Sequence, residues 1–256
     1  MTTADTRDEA IHGDRYASWK GWDADRFGQY SRSDARYFDW HVRRCLSARA
    51  PSAAPVQVLE IGFGNGSFMG WARDRGYQVT GTEIQPLLLE RARAAGWSVA
   101  PGLPPTGPKR HYDLIVAFDV LEHLARADWP AVMEQMTSHL DANGRVLIRV
   151  PNGDSPFGRL NQHGDITHVT TFGTQMLRQL AALHGLELLA HGEAPWHCRQ
   201  GMSRTLTNAL RAGLRALLEK WIRFAFAWTE VSMAPNLVVV LGHRRGTGTP
   251  STREPG

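Results

Sequence analysis

Apolar runs alternate with amphipathic segments through the middle of the chain. The apolar runs predict strands at residues 56–61, 77–82, 112–118 and 145–150. The amphipathic segments predict helices at residues 67–75, 86–95 and 129–140. Because strands separated by helices form parallel βαβ units, this pattern indicates an α/β fold whose ligands bind at the carboxyl ends of the strands.

The N-terminal region has a different pattern, with aromatic and apolar side chains at helix-like intervals over residues 14–49. We interpret it as one or two helices that form a lid, and we assign the lid to residues 1–50. The Pro-rich segment 50–55 breaks any helix, so the main domain is expected to begin there and to span residues 51–243.

The C-terminal part of the domain continues the alternation and then departs from it. After a loop at 152–171 the pattern predicts a helix at 174–184, a strand at 187–189, a helical insertion at about 196–234 and a last strand at 236–241. Residues 244–256 are rich in Gly, Thr, Pro and charge, which predicts a disordered tail.

The first predicted strand ends in an acid, Glu60, and opens into three closely spaced glycines, Gly62, Gly64 and Gly66. Such a turn brings bare backbone against a ligand and aims the amides of the following helix at polar ligand atoms. The dinucleotide fingerprint requires a third glycine where this chain has Ser67, which disfavours NAD. Glu83 lies about twenty residues further on, where a carboxylate holds ribose hydroxyls.

Together with the segment 113–124, DLIVAFDVLEHL, these features resemble successive motifs of class I S-adenosylmethionine-dependent methyltransferases, over roughly residues 56–190. The resemblance implies a Rossmann-like sheet of seven strands, mostly parallel with the last strand antiparallel, and S-adenosylmethionine as cofactor. It assigns the cofactor contacts to Glu60, Gly62, Phe63, Gly64, Gly66, Glu83, Ile84, Phe118 and Asp119. The acid that the family places near adenine is missing after the third strand.

A set of metal-ligating side chains follows the strand at 112–118. Asp119, Glu122 and His123 share one face if the chain enters a helical turn there. With His168 they resemble the divalent-metal site of ubiquinone-biosynthesis O-methyltransferases, in which an ion such as Mg²⁺ binds vicinal hydroxyls. The alternative is that Glu122 and His123 cap the turn and orient a loop while Asp119 contacts the cofactor.

The sequence offers several candidates for the general base and for the methyl acceptor. His168, His163 and His123 are the candidate bases, since an imidazole titrates near neutral pH. The segments 149–172 and 16–22 resemble bacterial methyltransferases of surface-polysaccharide assembly, which implies a sugar hydroxyl as acceptor. A quinone or phenol acceptor would suit an apolar pocket lined by Phe38, Trp40 and Trp196, and a non-catalytic cofactor-binding module is the alternative from another class.

Composition narrows the choice of partner and compartment. The chain has no basic run interleaved with aromatic residues, which argues against a nucleic-acid partner. An N-terminus without an apolar core and the lack of an apolar run of about eighteen residues predict a cytoplasmic protein. Cys45 and Cys198 are far apart, which fits a reducing compartment and argues against a structural zinc site.

The segment Ser203–Trp228 combines an apolar stripe with several arginines and therefore predicts a basic amphipathic helix. Such a helix can lie on an anionic membrane, which would place the protein peripherally at the inner face of the membrane. The alternative is an insertion that packs on the domain or forms a homodimer interface.

Overall fold

The computed structural model describes residues 19–20, 26–46, 54–102, 111–192, 202–227 and 232–244. Helices and strands follow one another in chain order as α1 Arg32–Leu46, β1 Gln57–Ile61, α2 Ser67–Asp74, β2 Gln78–Glu83, α3 Pro86–Ala94, β3 Val99–Pro101, β4 Tyr112–Phe118, α4 Trp129–His139, β5 Leu140–Pro151, α5 Gly158–His163, α6 Thr174–Leu183, β6 Leu186–His191, α7 Met202–Phe226 and β7 Asn236–His243. No helix within these ranges is long and apolar enough to cross a bilayer.

The seven strands form one sheet in the order β3-β2-β1-β4-β5-β7-β6. Strands β1 to β5 pair in parallel, whereas β7 runs antiparallel to both of its neighbours, β5 and β6. This arrangement confirms the predicted Rossmann-like sheet with an antiparallel last strand. Because the order reverses between β1 and β4, the crevice that binds ligands is expected at their carboxyl ends.

Strand β4 shows why the sheet could be predicted from apolar runs. Ile115 and Ala117 point into the core on one side of the sheet, and Leu114 and Val116 point into the core on the other. Since successive side chains of a strand face opposite sides, a strand covered by helices on both faces must be apolar throughout. The run therefore marks the centre of the sheet.

Three elements differ from the sequence prediction. The short edge strand β3 has only three residues, too few for a periodic pattern, so only the resemblance to the family implied a third strand there. Strand β5 begins at Leu140 rather than at residue 145, with a shifted register against β4. The predicted loop 152–171 contains the short helix α5.

Helix α1, with residues 19–20 and 26–31, is the part of the predicted lid that lies within the described residues. Tyr37, Phe38, Val42 and Cys45 are buried in one apolar cluster with residues of β4, α2 and β5. The helix therefore packs directly on the sheet. The last part of the predicted tail, from residue 245 onward, lies outside the described residues, as do residues 193–201 and 228–231 of the insertion.

His41 on α1 gives a prediction about acid stability. The side chain is fully buried, and neither ring nitrogen has a hydrogen-bond partner. Desolvation, with the neighbouring Arg44 and Arg149, lowers the pKa of His41 to about 3. Between about pH 6.5 and this value the unfolded chain takes up a proton that the folded protein refuses, so stability falls as the pH falls. Between about pH 7 and pH 5, we expect the unfolding free energy of His41→Phe to fall by about 2 kcal/mol less than that of the wild type.

Urea unfolding at a series of pH values measures this difference. The matched control is His191→Phe at an exposed position of β6, which should leave the pH dependence unchanged. Equal losses of stability in wild type and His41→Phe would show that His41 does not titrate as its burial implies.

Candidate active site

A cavity of about 980 Å³ opens at the carboxyl ends of β1, β2 and β4. Its volume lies at the upper end of the range for small-molecule sites, so it has room for a nucleoside cofactor together with an acceptor. Most of its wall comes from the glycine loop, the residues after β2 and β4, and one side of α1. The cavity therefore lies at the crevice that the strand order predicts.

The glycine loop adopts backbone conformations that require glycine. Gly62, Gly64 and Gly66 all have positive φ, at 68°, 53° and 71°. A Cβ atom at Gly62 would lie 2.6 Å from Val120 Cγ2, and one at Gly66 would lie 2.6 Å from the Phe27 ring. Because side chains are excluded here, the backbone itself forms the cavity wall in front of the first turn of α2.

Residues 26–29 cover the outer side of this loop. The Gly28 amide donates to Asn65 O at 2.9 Å, and Ser67 Oγ donates to Gln29 O at 2.9 Å. The Gly28 carbonyl lies only 1.8 Å from where a Cβ atom at Gly70 would be, so α2 approaches this segment through a bare glycine. The segment before α1 is therefore fixed to the glycine loop.

Glu83 at the end of β2 binds the loop from the inside. Its Oε2 accepts a hydrogen bond from the Gly64 amide at 3.2 Å, and its Oε1 accepts from the Ile84 amide at 2.8 Å and the Gln85 amide at 3.2 Å. A carboxylate offers about four lone-pair positions, so acceptor capacity remains on the cavity side. Glu83 can hold ribose hydroxyls while it fixes the loop.

Glu60 is a buried acid on the cavity wall. Desolvation raises its pKa well above the ordinary value, the nearby Glu83 carboxylate adds to the effect, and its Oε2 has no hydrogen-bond partner. A buried carboxyl of this kind is stabilised when a cationic group binds next to it. The ammonium of an amino-acid moiety, such as the methionine part of S-adenosylmethionine, is such a group, and the contact of Glu60 with the cofactor stays a prediction.

Asp119 follows β4 with a left-handed backbone, φ 56°, which is uncommon for a residue other than glycine. Its carboxylate forms a bidentate ion pair with Arg149 on the neighbouring strand, in which Arg149 Nε donates to Oδ1 at 2.8 Å. The guanidinium also lies over the rings of Phe118 and Tyr37, 4.9 and 5.3 Å from their centroids. Asp119 therefore faces Arg149 at the cavity wall.

A second group of side chains could hold a cation. Glu122, His123 and His168 place one ligand atom each within 4.8 Å of one another. Glu122 is fully buried, neither carboxylate oxygen has a hydrogen-bond partner, and desolvation raises its pKa to about 8, with a further contribution from Asp119. A buried acid without a partner is costly unless a cation or a proton accompanies it. Among the described residues this group does not include Asp119, because that carboxylate turns towards Arg149 instead.

Hydrogen bonds fix the orientation of both imidazoles. Thr167 Oγ1 donates to Asp165 Oδ1 at 2.6 Å, so it accepts from His123 Nδ1, which lies 2.8 Å away. His168 Nδ1 lies 3.2 Å from the carbonyl oxygen of Gln162, which can only accept. These contacts engage Nδ1 of each ring, which leaves Nε2 as the nitrogen that could bind a cation, as in metal-ligating histidines.

Burial also keeps His123 neutral. Desolvation lowers its pKa to about 4, and the neighbouring His168 imidazole acts in the same direction. His123 is the member of the group that lines the cavity. The group thus joins a buried acid, which has no hydrogen-bond partner and whose Oε1 lies 3.9 Å from His168 Nε2, to an imidazole that can reach a ligand.

Most of the residues predicted to contact the cofactor meet at the cavity. Its wall includes the predicted residues Glu60, Gly62, Phe63, Gly64, Glu83, Ile84, Phe118 and Asp119. Gly66 shapes the loop beside it.

His163, at the end of α5, is exposed and does not belong to the described residues that line the cavity. Of the predicted quinone pocket, Phe38 lines the cavity, Trp40 packs on His41 and Arg44, and Trp196 lies outside the described residues.

The sequence prediction missed Lys20 and Arg149, which both line the cavity. Lys20 Nζ forms an ion pair with Asp165 at 2.8 Å, and Arg149 pairs with Asp119. Arg149 left a signal in the sequence, since it is a charged residue inside an otherwise apolar strand. Lys20 left none, because its position beside Asp165 depends on a contact between residues that are far apart in the chain.

A seven-stranded sheet of this order, with a glycine loop after β1 and an acid after β2, defines a class I S-adenosylmethionine-dependent methyltransferase. The chain belongs to the methyltransferase-domain family, whose model matches residues 22–191. S-adenosylmethionine is therefore its cofactor. No protein of curated function matches the chain significantly.

Solved structures share the fold at low sequence identity. A SAM-dependent methyltransferase from Archaeoglobus fulgidus is 16% identical with a TM-score of 0.53, over 94% of this chain and 99% of the other. A TehB-like SAM-dependent methyltransferase from Corynebacterium glutamicum is 20% identical with a TM-score of 0.54, over 90% and 97%. Magnesium protoporphyrin IX methyltransferase from Synechocystis, with bound SAH, is 14% identical with a TM-score of 0.57, over 95% and 100%.

Proposed function

We propose that this methyltransferase transfers its methyl group to a hydroxyl oxygen of a glycan or another small polyol, with a divalent cation such as Mg²⁺ bound by Glu122, His123 and His168. The observation that carries the proposal is the fully buried Glu122 carboxylate, which has no hydrogen-bond partner and lies beside the imidazoles of His123 and His168.

The reaction forms a bond between the methyl carbon and the acceptor oxygen and breaks the bond between that carbon and sulfur. The electron pair of the broken bond stays on sulfur, which leaves as a neutral thioether, and the acceptor hydroxyl must lose its proton. The chain's tasks are therefore to hold the oxygen in line with the methyl group and to lower the barrier to proton loss. The released proton would pass to water in the cavity, and His123, which lines the cavity and is neutral, would hold the cation on the side of the acceptor hydroxyl.

The donor set suits a divalent cation. One carboxylate and two imidazoles form the ligand set, and the Nδ1 atoms of the imidazoles are oriented by hydrogen bonds to a threonine hydroxyl and a backbone carbonyl. A cation bound there would polarise the acceptor hydroxyl and lower its pKa. The Asp165 and Thr167 side chains hold the His123 ring in place for this role.

Polar groups on the cavity wall favour a polyol acceptor. Lys20, Asp34, Asn161 and Asn236 all line the cavity and offer both donors and acceptors to hydroxyl groups. The second candidate is a quinone or phenol, which the parallel rings of Phe38 and Phe118 on the same wall would favour; their centroids are 5.8 Å apart and their planes differ by 13°.

The test is transfer of radiolabelled methyl from S-adenosylmethionine into fractionated extract of the source cell, with and without a chelator. Label in the polysaccharide or glycolipid fraction that disappears on chelation is the expected result. Label in the quinone fraction would support the second candidate, and full activity after thorough chelation would refute the role of the cation. Cofactor binding without label in any fraction would indicate a non-catalytic module.

A further inference from the structure

Helix α7 carries an apolar stripe that faces away from the rest of the domain. The stripe residues are between 59% and 87% exposed; they are Leu206, Leu210, Leu214, Leu217, Trp221 and Phe224. The partly covered positions, among them Asn208, Ala212 and Ile222, lie on the opposite side of the helix. Monomeric soluble proteins rarely expose a contiguous apolar patch of this kind unless it binds a partner. The predicted alternative in which the stripe packs on the domain therefore does not hold.

Basic residues accompany the stripe. Arg211 and Lys220 are exposed and, at 3.6 residues per turn, lie at its two margins, and Arg223 is exposed further round the helix. The one acid in the described part of the helix, Glu219, is turned towards the protein, where its Oε1 accepts a hydrogen bond from the Met233 amide at 2.7 Å. The outward surface therefore combines apolar side chains with positive charge.

We propose that the outward face of α7 docks on an anionic lipid bilayer and lies in the plane of its surface. Leucine, tryptophan and phenylalanine side chains would enter the boundary between headgroups and acyl chains, while arginine and lysine contact anionic headgroups. Charge complementarity favours this partner over a second copy of the chain. Two such helices would bring their basic margins together, and Glu219 is not available to compensate.

The connection from α7 to β7 joins this surface to the cavity. Asn152 Nδ2 at the end of β5 donates to Ala234 O at 2.9 Å, and the Asn152 amide donates to Pro235 O at 3.0 Å. Pro235 and Asn236 in turn line the cavity. Docking through α7 therefore keeps the cavity close to the membrane, whichever acceptor it receives.

Co-sedimentation of the full chain with vesicles tests the proposal. We expect binding to phosphatidylcholine vesicles that contain phosphatidylglycerol, weak binding to phosphatidylcholine alone, and loss of binding at high salt. Trp221→Glu should weaken binding at least tenfold, since it puts a charge in the centre of the stripe. The double variant Arg211→Ala and Lys220→Ala should weaken it roughly 25-fold, at about fivefold for each basic residue removed.

The matched control is Leu183→Glu at the end of α6, because that leucine is 80% exposed yet lies on another helix. Its binding should equal that of wild type, and thermal melting should show that all the variants fold. Absence of binding to anionic vesicles at low salt would overturn the proposal. So would a stable dimer in analytical ultracentrifugation that Trp221→Glu converts to monomer, since the stripe would then bind a second copy.

Discussion

Alanine in place of Glu83 should weaken binding of S-adenosylmethionine roughly 10–100-fold. The variant removes the charge-assisted hydrogen bond that the remaining acceptor position of Glu83 offers to the ribose, worth about 1.5–3 kcal/mol, and about 1.4 kcal/mol corresponds to a factor of ten in Kd. It also leaves the Gly64 amide without its present acceptor, so the glycine loop loses a contact that fixes it. Isothermal titration calorimetry with S-adenosylmethionine and S-adenosylhomocysteine measures both dissociation constants.

The control is Glu90→Ala, an acid of the same type exposed on α3, just beyond the cofactor wall. It should bind the cofactor as tightly as wild type. If Glu83→Ala retained wild-type affinity with an unchanged melting temperature, Glu83 would act only as a support for the loop and the ribose contact would have to be made elsewhere.

Glu122→Gln and His168→Asn should each lower turnover by about 10²–10⁴-fold while cofactor affinity stays within a factor of about three of wild type. The group lies beside the acceptor hydroxyl in our proposal, so its loss affects the reaction rather than cofactor binding. Because burial raises the pKa of Glu122 to about 8, its carboxyl is largely protonated near pH 7 in the empty site, and glutamine is close to it in shape and polarity. The fold should therefore be retained.

Measurements of kcat, of cofactor Kd and of Mn²⁺ binding by electron paramagnetic resonance distinguish the explanations. Glu134→Gln on the exposed side of α4 is the matched control and should match wild type in all three. His163→Asn distinguishes the histidines, because His163 is exposed and does not belong to the group of Glu122, His123 and His168, so its loss should leave kcat unchanged if His168 acts there. Wild-type turnover in Glu122→Gln would remove the group from the mechanism.

The cofactor side of the site could be predicted because it depends on short stretches of chain. The glycine loop and Glu83 each follow a strand directly, and the carboxyl ends of neighbouring parallel strands meet at one edge of the sheet. The local sequence determines the glycine turn, and the strand order of the sheet brings this turn and Glu83 together. The family model and the shared fold confirm the class of enzyme and the cofactor.

The arrangement of Asp119, Glu122 and His123 could not be predicted from the sequence, because it depends on contacts between residues that are far apart in the chain. Helical spacing placed Asp119 with Glu122 and His123, but a left-handed residue at Asp119 precedes the short 3₁₀ turn Leu121–His123, so its side chain points to Arg149 thirty positions along the chain. The orientation of His123 likewise depends on Thr167 in the loop before α6. The spacing of residues along the chain could not predict the contact of Asp119 with Arg149 or that of His123 with Thr167, because both depend on how loops from separate strands pack.

The position of β7 between β5 and β6 bears on how the chain folds while it is being synthesised. Strand β6 has β7 as its pairing partner, and β7 emerges from the ribosome roughly 45 residues later, which at typical translation rates takes on the order of 2–9 s. During that delay β5 presents an unpaired apolar edge and β6 has no place in the sheet. The nascent polypeptide is therefore expected to need protection by a chaperone until β7 has emerged and completes the sheet.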